Sequence, residues 1–192
     1  MKRVGLFWPE AGDDIPNIDW DASQLDWEKM RIAIWLYPSG SVDPTISRQI
    51  AVVNHPLALD WDFYSGAGIW GIFSARLRDA IAPYCSTCFD FWPIELNGAE
   101  YYGVRRVGTI DCLDRIASGK YKNGSTLYYD PCVFRDEGIP DMSLFSIPEV
   151  TSIFVTADLA RLLLPMQFKG VCIFNAGGSQ RTGEDLDWNP SW

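Results

Sequence analysis

The stretch IWGIFSARLRDAIAPY, residues 69–84, changes its structural period midway, and that change decides the fold. Ile69 to Phe73 is the β-branched and aromatic mixture of a strand. Ser74 then stands where a helix N-cap belongs, because its hydroxyl can accept from an otherwise unpaired backbone N–H. Leu77, Ala80, Ile81 and Tyr84 follow at i, i+3, i+4 and i+7, the apolar stripe of an amphipathic helix. The same grammar returns 82 residues later in SIFVTADLARLLLPM, residues 152–166. There Thr156 stands in the place of Ser74, Leu159 of Leu77, Leu162 of Ala80, Leu163 of Ile81, Pro165 of Pro83 and Met166 of Tyr84. A strand-like segment follows each helix, FDFWPIEL (89–96) after the first and FKGVCIF (168–174) after the second. Two copies fall short of the three or so that a solenoid needs. Duplication and a recurrent local unit both predict an α+β fold, a mainly antiparallel sheet with two similar strand–capped helix–strand units packed against it.

Working outward, FDFWPIEL and EYYGVRRVG (100–108) flank Asn97-Gly98, the dipeptide suited to the positive φ angles of a two-residue type I′ turn. They predict a β-hairpin. Further strands are expected in STLYYDPCVF (125–134), where Pro131 marks an edge, and in SLFSI (143–147). Upstream, MRIAIWLY (30–37) and ISRQIAVV (46–53) have strand composition within a region, residues 1–60, that is otherwise irregular, acidic and punctuated by proline.

A chain of 192 residues fits one domain, and the expectation is a single domain over 1–192, with residues 69–174 as its core and 175–192 as an acidic, tryptophan-bearing tail. The composition, 47% hydrophobic and 14% aromatic with nine Trp, is that of a chain that folds. A net charge of −9 disfavours a general affinity for nucleic acid or anionic membrane and favours a basic partner. The apolar run VGLFW near the amino terminus ends at Pro9, too short for a signal-peptide core of about 7–15 residues. Lys, Asp or Pro interrupts every window before it reaches the roughly 20 apolar residues of a membrane span. A cytoplasmic location is therefore expected. Five cysteines, at 85, 88, 112, 132 and 172, read as reduced and mostly buried thiols rather than as disulfides.

Candidate chemistry is sparse. CSTC (85–88) follows a helix, whose negative end disfavours a thiolate, and no second CxxC completes a zinc site. His55, the one histidine, lies in NHPL with no recognisable nucleophile motif near it. NAGGSQRTG (175–183) lacks the spacing of a phosphate loop. Asp111 and Asp114 in TIDCLDRIASGKY (109–121) are the strongest catalytic candidates, since paired carboxylates can serve as acid and base. A general acid needs a raised pKa, however, and Arg105, Arg106 and Arg115 are close in sequence. The simpler expectation is that Asp111 caps a short helix, CLDRIAS (112–118), with Asp114 as the acidic member of a capping box. Ser74, Asp111, Asp114 and Thr156 are thus expected as structural caps, with no catalytic residue, metal or cofactor.

Taken in order, GIFSARLRDAIAPY, FDFWPIELNGAEYYGVRRVGTIDCLDRIASGKY and SLFSIPEVTSIFVTADLARLLLPMQFKGVCIF resemble the eleventh-numbered family of bacterial immunity proteins from polymorphic toxin systems. The resemblance runs over roughly residues 69–174 and rests on the capped helix, the P-I-E-L strand, the YY strand, the D-C-L-D turn and the closing IFVTADL helix. It implies a cytoplasmic, non-enzymatic protein that neutralises a cognate antibacterial toxin by occluding its active site or substrate path. Residues 1–60 and the tail depart from the family pattern and are where partner specificity is expected. Acidic patches speed association with a basic cleft, and aromatic anchors supply affinity. The interface expected on that basis is Asp13, Asp14, Asp19, Trp20, Asp21, Trp27, Asp185, Asp187 and Trp188, with no nucleic acid and no membrane as partner. Two alternatives stay open: a small-ligand or glycan-binding module using surface aromatics, and a hydrolase using Asp111 and Asp114.

Overall fold

A computed structural model describes residues 4–9, 16, 18, 19, 23, 49–66, 69–85, 87–123, 126–129, 131–150 and 152–176. In chain order these form β1 (Val4–Pro9), β2 (Gln49–Ala51), β3 (Phe63–Gly66), β4 (Ile69–Ser74), α1 (Ala75–Ile81) with a 3-10 turn (Ala82–Tyr84), β5 (Phe89–Leu96), β6 (Ala99–Arg106), β7 (Lys120–Asn123), β8 (Thr126–Tyr129), β9 (Leu144–Phe145), β10 (Ile153–Thr156), α2 (Ala157–Leu163) with a 3-10 turn (Leu164–Met166), and β11 (Val171–Asn175). The fold is α+β with mostly strand content, as the change of period at Ser74 predicts. The strands divide between two larger sheets and a separate hairpin, β7–β8. The expected strand at 30–37 lies outside the described residues.

Two compact units can be separated: residues 9–108 with 168–171, and residues 1–8 with 109–167 and 172–192. In the unit spanning 9–108 the sheet order is β2-β5-β6-β4-β3. All of its pairings are antiparallel except β2 against β5, which is parallel. The predicted hairpin is there in full register, from Phe89 opposite Arg106 to Leu96 opposite Ala99. Its turn residues have φ of 47° at Asn97 and 84° at Gly98, the two positive values a type I′ turn demands. Asn97 does more than turn the chain: its Oδ1 accepts from Val53 N–H (3.0 Å) and its Nδ2 donates to the Val53 carbonyl (2.7 Å), pinning the strand edge after β2. Alternation along the strands places Ile72, Ile94, Leu96, Tyr64 and Tyr101 in one buried cluster with Ile18, Ala51, Val53 and Ala58. Trp92 packs onto the same cluster opposite Gly103, where a Cβ would sit 2.3 Å from the indole. Phe63 and Phe73, one residue out of phase with that face, meet edge-on at 4.6 Å.

In the other unit the sheet order is β11-β1-β10-β9, with β1 antiparallel to β10 from Val4–Thr156 to Phe7–Ile153. The apolar run VGLFW is thus an interior strand rather than part of an irregular region. Phe134, Phe145 and Phe154 form a ring cluster with centroids 5.1–5.9 Å apart. In the same unit α2 buries Ala157, Leu159, Ala160 and Leu163; of the positions mapped from the repeat, Leu159 and Leu163 are buried, whereas Leu162 and Met166 are exposed because the buried face runs through the two alanines instead. No helix among the described residues is long and apolar enough to cross a membrane.

Candidate functional site

The segment 109–119, which carries Asp111 and Asp114, is not helical. Leu113 forms an isolated bridge with Phe134, Asp114 N–H donates to the Val133 carbonyl (2.8 Å), Arg135 N–H to the Cys112 carbonyl (2.8 Å) and Gly119 N–H to the Pro131 carbonyl (3.0 Å). Residues 112–118 therefore do not form the helix expected for CLDRIAS. Its backbone groups are taken by the extended segment 131–135, and only a single turn at 115–117 remains. Asp114 holds that turn: its Oδ1 accepts from Ile116 N–H (2.9 Å) and Ala117 N–H (3.0 Å). Ser118, buried, closes it by accepting from Val133 N–H (2.9 Å) through its Oγ.

Asp111, by contrast, caps nothing. Its exposed carboxylate lies 3.0 Å from the Arg115 guanidinium and 3.3 Å from that of Arg135. Arg115 also pairs with Glu149. The neighbourhood is a chain of ion pairs, Arg135–Asp111–Arg115–Glu149, beside a single turn. The N–H groups of Ala117 and Ile116 hold the Asp114 carboxyl below the usual carboxylate range, which is the wrong direction for a general acid.

The other two expected caps divide. Ser74 Oγ accepts from Leu77 N–H (3.1 Å), the N-cap geometry its position calls for. Thr156, its counterpart, makes no side-chain bond to its helix; Thr156 Oγ1 accepts instead from Ser143 N–H (2.9 Å), closing the edge of the β9–β10 pair. Asp158 in the first turn of α2 adds the negative charge its N-terminus favours.

Ser74 is also part of a polar cluster that no motif announced. Asp62, only 5% exposed, accepts from Ser74 Oγ (2.6 Å) and the Arg76 side chain (2.5 Å), and from Lys169 N–H (2.9 Å). Its own N–H donates to the Lys169 carbonyl and its carbonyl accepts from Ser74 N–H, both at 2.9 Å. Burial raises the Asp62 carboxyl, but the bonds from Arg76, Ser74 and Lys169 outweigh it and leave it below the usual range. Arg76 in turn lies over the Phe168 ring at 4.6 Å. Every donor here is the protein's own, so the cluster is a tether between β3, the start of α1 and residues 168–170. Nothing local announces it, because Asp62 and Lys169 are 107 residues apart.

Cys85, Cys88, Cys112 and Cys132 are buried and unbridged. Burial pushes Cys85 and Cys112 up to about 12. Among the described residues no group of three or more His, Cys, Asp and Glu could hold a metal ion. His55 Nδ1 accepts from Leu57 N–H (3.1 Å) in a loop. Of the residues expected at a partner interface, Asp19 alone is described. It is half-buried, and its carboxylate accepts from Asn54 (2.7 Å) while its N–H donates to the Val52 carbonyl (2.8 Å). Asp13, Asp14, Trp20, Asp21, Trp27, Asp185, Asp187 and Trp188 lie outside the described residues. No protein-family model matches the chain, and no curated protein matches its sequence.

Proposed function

We propose that this chain is an immunity protein that binds a cognate antibacterial toxin in the cytoplasm and blocks its active site or substrate path. The observation that carries the reading is the ordered run of motifs over residues 69–174, whose members fall on distinct elements. The capped helix is α1, P-I-E-L is on β5, the tyrosine pair on β6, D-C-L-D in the bridged segment leading into the turn at 115–117, and IFVTADL spans β10 and α2. The charge of −9 supports a basic partner, since association with an opposite charge is steered and accelerated. Against the hydrolase alternative stands the use already made of its candidate groups: Asp111 is paired with two arginines and Asp114 is committed to two backbone N–H groups. Against the glycan-binding alternative, the two tryptophans whose side chains are described, Trp61 and Trp92, are partly buried and pack on the core cluster.

The test is genetic and then physical. The toxic domain encoded by the gene adjoining this chain's own is co-expressed with it. Rescue of growth and co-elution of the two purified proteins as a stoichiometric complex are expected; absence of both would refute the proposal.

A further inference from the structure

The two strand–helix–strand units agree in more than sequence. The helices α1 and α2, the 3-10 turns that end them and the first residues of β5 and β11 all stand 82 residues apart, without insertion. The sheets around them agree as well, β5-β6-β4-β3 in one and β11-β1-β10-β9 in the other, with corresponding strands in corresponding places. In each, the strand before the helix is antiparallel to both of its neighbours. The register agrees residue by residue. Ser74 pairs with Tyr101 as Thr156 pairs with Val4, Phe73 with Tyr102 as Val155 with Gly5, and Ile72 with Gly103 as Phe154 with Leu6. On the other side Phe73 pairs with Phe63 and Ile72 with Tyr64, as Val155 pairs with Leu144 and Phe154 with Phe145. Even the bond at the corner is repeated: Ser74 N–H donates to the Asp62 carbonyl (2.9 Å) and Thr156 N–H to the Ser143 carbonyl (3.0 Å).

One strand breaks the correspondence. In the first sheet the central strand, β6, follows β5 through Asn97-Gly98, whereas in the second the central strand is β1, which precedes every other element of its unit. Ala176 N–H, one residue past β11, donates to the Val4 carbonyl (3.1 Å), so the end of β11 lies beside the start of β1. That is the place where the turn of the first sheet joins Leu96 to Ala99. A recurrent local unit would account for a shared strand, cap and helix, but it gives no reason for the flanking strands to share their register.

We infer that the second sheet is a permuted copy of the first, and that the slot between β10 and β11 is a binding site for one extended peptide segment, Val4–Pro9, held by the sheet and not by its covalent connection. Main-chain hydrogen bonding to the strands on either side supplies the affinity, as when a peptide strand is added to a sheet. Val4 and Phe7, on opposite faces of the strand and 5% and 1% exposed, supply the fit. Neither the copy nor the slot depends on what the whole chain binds.

The experiment moves the strand. In the full-length chain, residues 4–9 are taken from their place and set directly after Ala176 behind an Asn-Gly turn, and a second version uses Gly-Asn-Gly-Ser as a longer link. Far-UV circular dichroism and thermal melting are compared with wild type. The transplanted chain is expected to keep the wild-type spectrum and to melt cooperatively within about 5 °C of it, because a strand that the slot binds is indifferent to the end from which it is delivered. The same transplant carrying Val4→Asp and Phe7→Asp is expected to lose the cooperative transition, since unpaired carboxylates are too costly to bury there. Failure of both links to give a cooperative transition overturns the permuted copy. So does a substituted transplant that melts like the unsubstituted one, for then the strand is not in the slot.

Discussion

Asp114 and Asp111 are three residues apart and do opposite things, because one faces backbone and the other faces guanidinium groups. Asp114→Ala leaves Ile116 and Ala117 N–H without their acceptor and is expected to lower the melting temperature clearly. Asp111→Ala removes only exposed ion pairs and is expected to shift it little. Thermal unfolding followed by circular dichroism separates them, and equal effects would contradict the assigned roles. Asp62 is the costlier residue. Asp62→Ala deprives Ser74 Oγ and Lys169 N–H of their buried acceptor and is expected to destabilise by about 2–3 kcal/mol in urea unfolding. Its carboxyl is depressed in the folded state, so the stability it contributes is fully present above its unfolded value of about 4 and is lost as pH falls through the folded value. The gap between wild type and Asp62→Asn should accordingly be wide at neutral pH and close under acid conditions. A gap that stays constant would mean that the carboxylate's charge is not what matters.

Among the elements, the two strand–helix junctions look alike in sequence and are fastened differently. Ser74→Ala removes an N-cap and a donor to Asp62 together, and about 1–2 kcal/mol is the expected loss. Thr156→Val keeps the β-branched shape but leaves Ser143 N–H unpaired in a buried position, an expected loss of about 1–3 kcal/mol that comes from the sheet and not from the helix. Thr156→Ser, which retains the acceptor, should recover most of it. At the hairpin, Gly103 is required by Trp92: a Cβ there would lie 2.3 Å from the indole, so Gly103→Val is expected to prevent native folding, read as loss of soluble protein. These elements were legible to different degrees. Asn97-Gly98 and the helical stripe after Ser74 are local signals that need nothing from the rest of the chain, and both appear where expected. CLDRIAS carried an equally local signal and failed, because 131–135 competes for the same backbone groups.

For the whole molecule, the charge of −9 carries a prediction of its own. Raising ionic strength shortens the screening length from about 10 Å at 0.1 M to about 3 Å at 1 M. Association with a basic toxic domain should therefore slow steeply with added salt while dissociation changes little, as stopped-flow mixing would measure; a salt-independent association rate would exclude electrostatic steering. Composition and pattern alone determined the α+β class, the two strand–helix units, the β5–β6 hairpin and the acidic character, because each depends on contacts within a few residues or on a simple sum over the chain. Tertiary structure alone decided that the described strands fall into two larger sheets and a separate hairpin, that VGLFW is an interior strand, that Asp111 pairs with arginines while Asp114 holds a turn, and that Asp62 reaches Lys169. Those outcomes depend on which distant segment wins a given hydrogen-bonding group, and a partner 107 residues away leaves no mark on the local sequence.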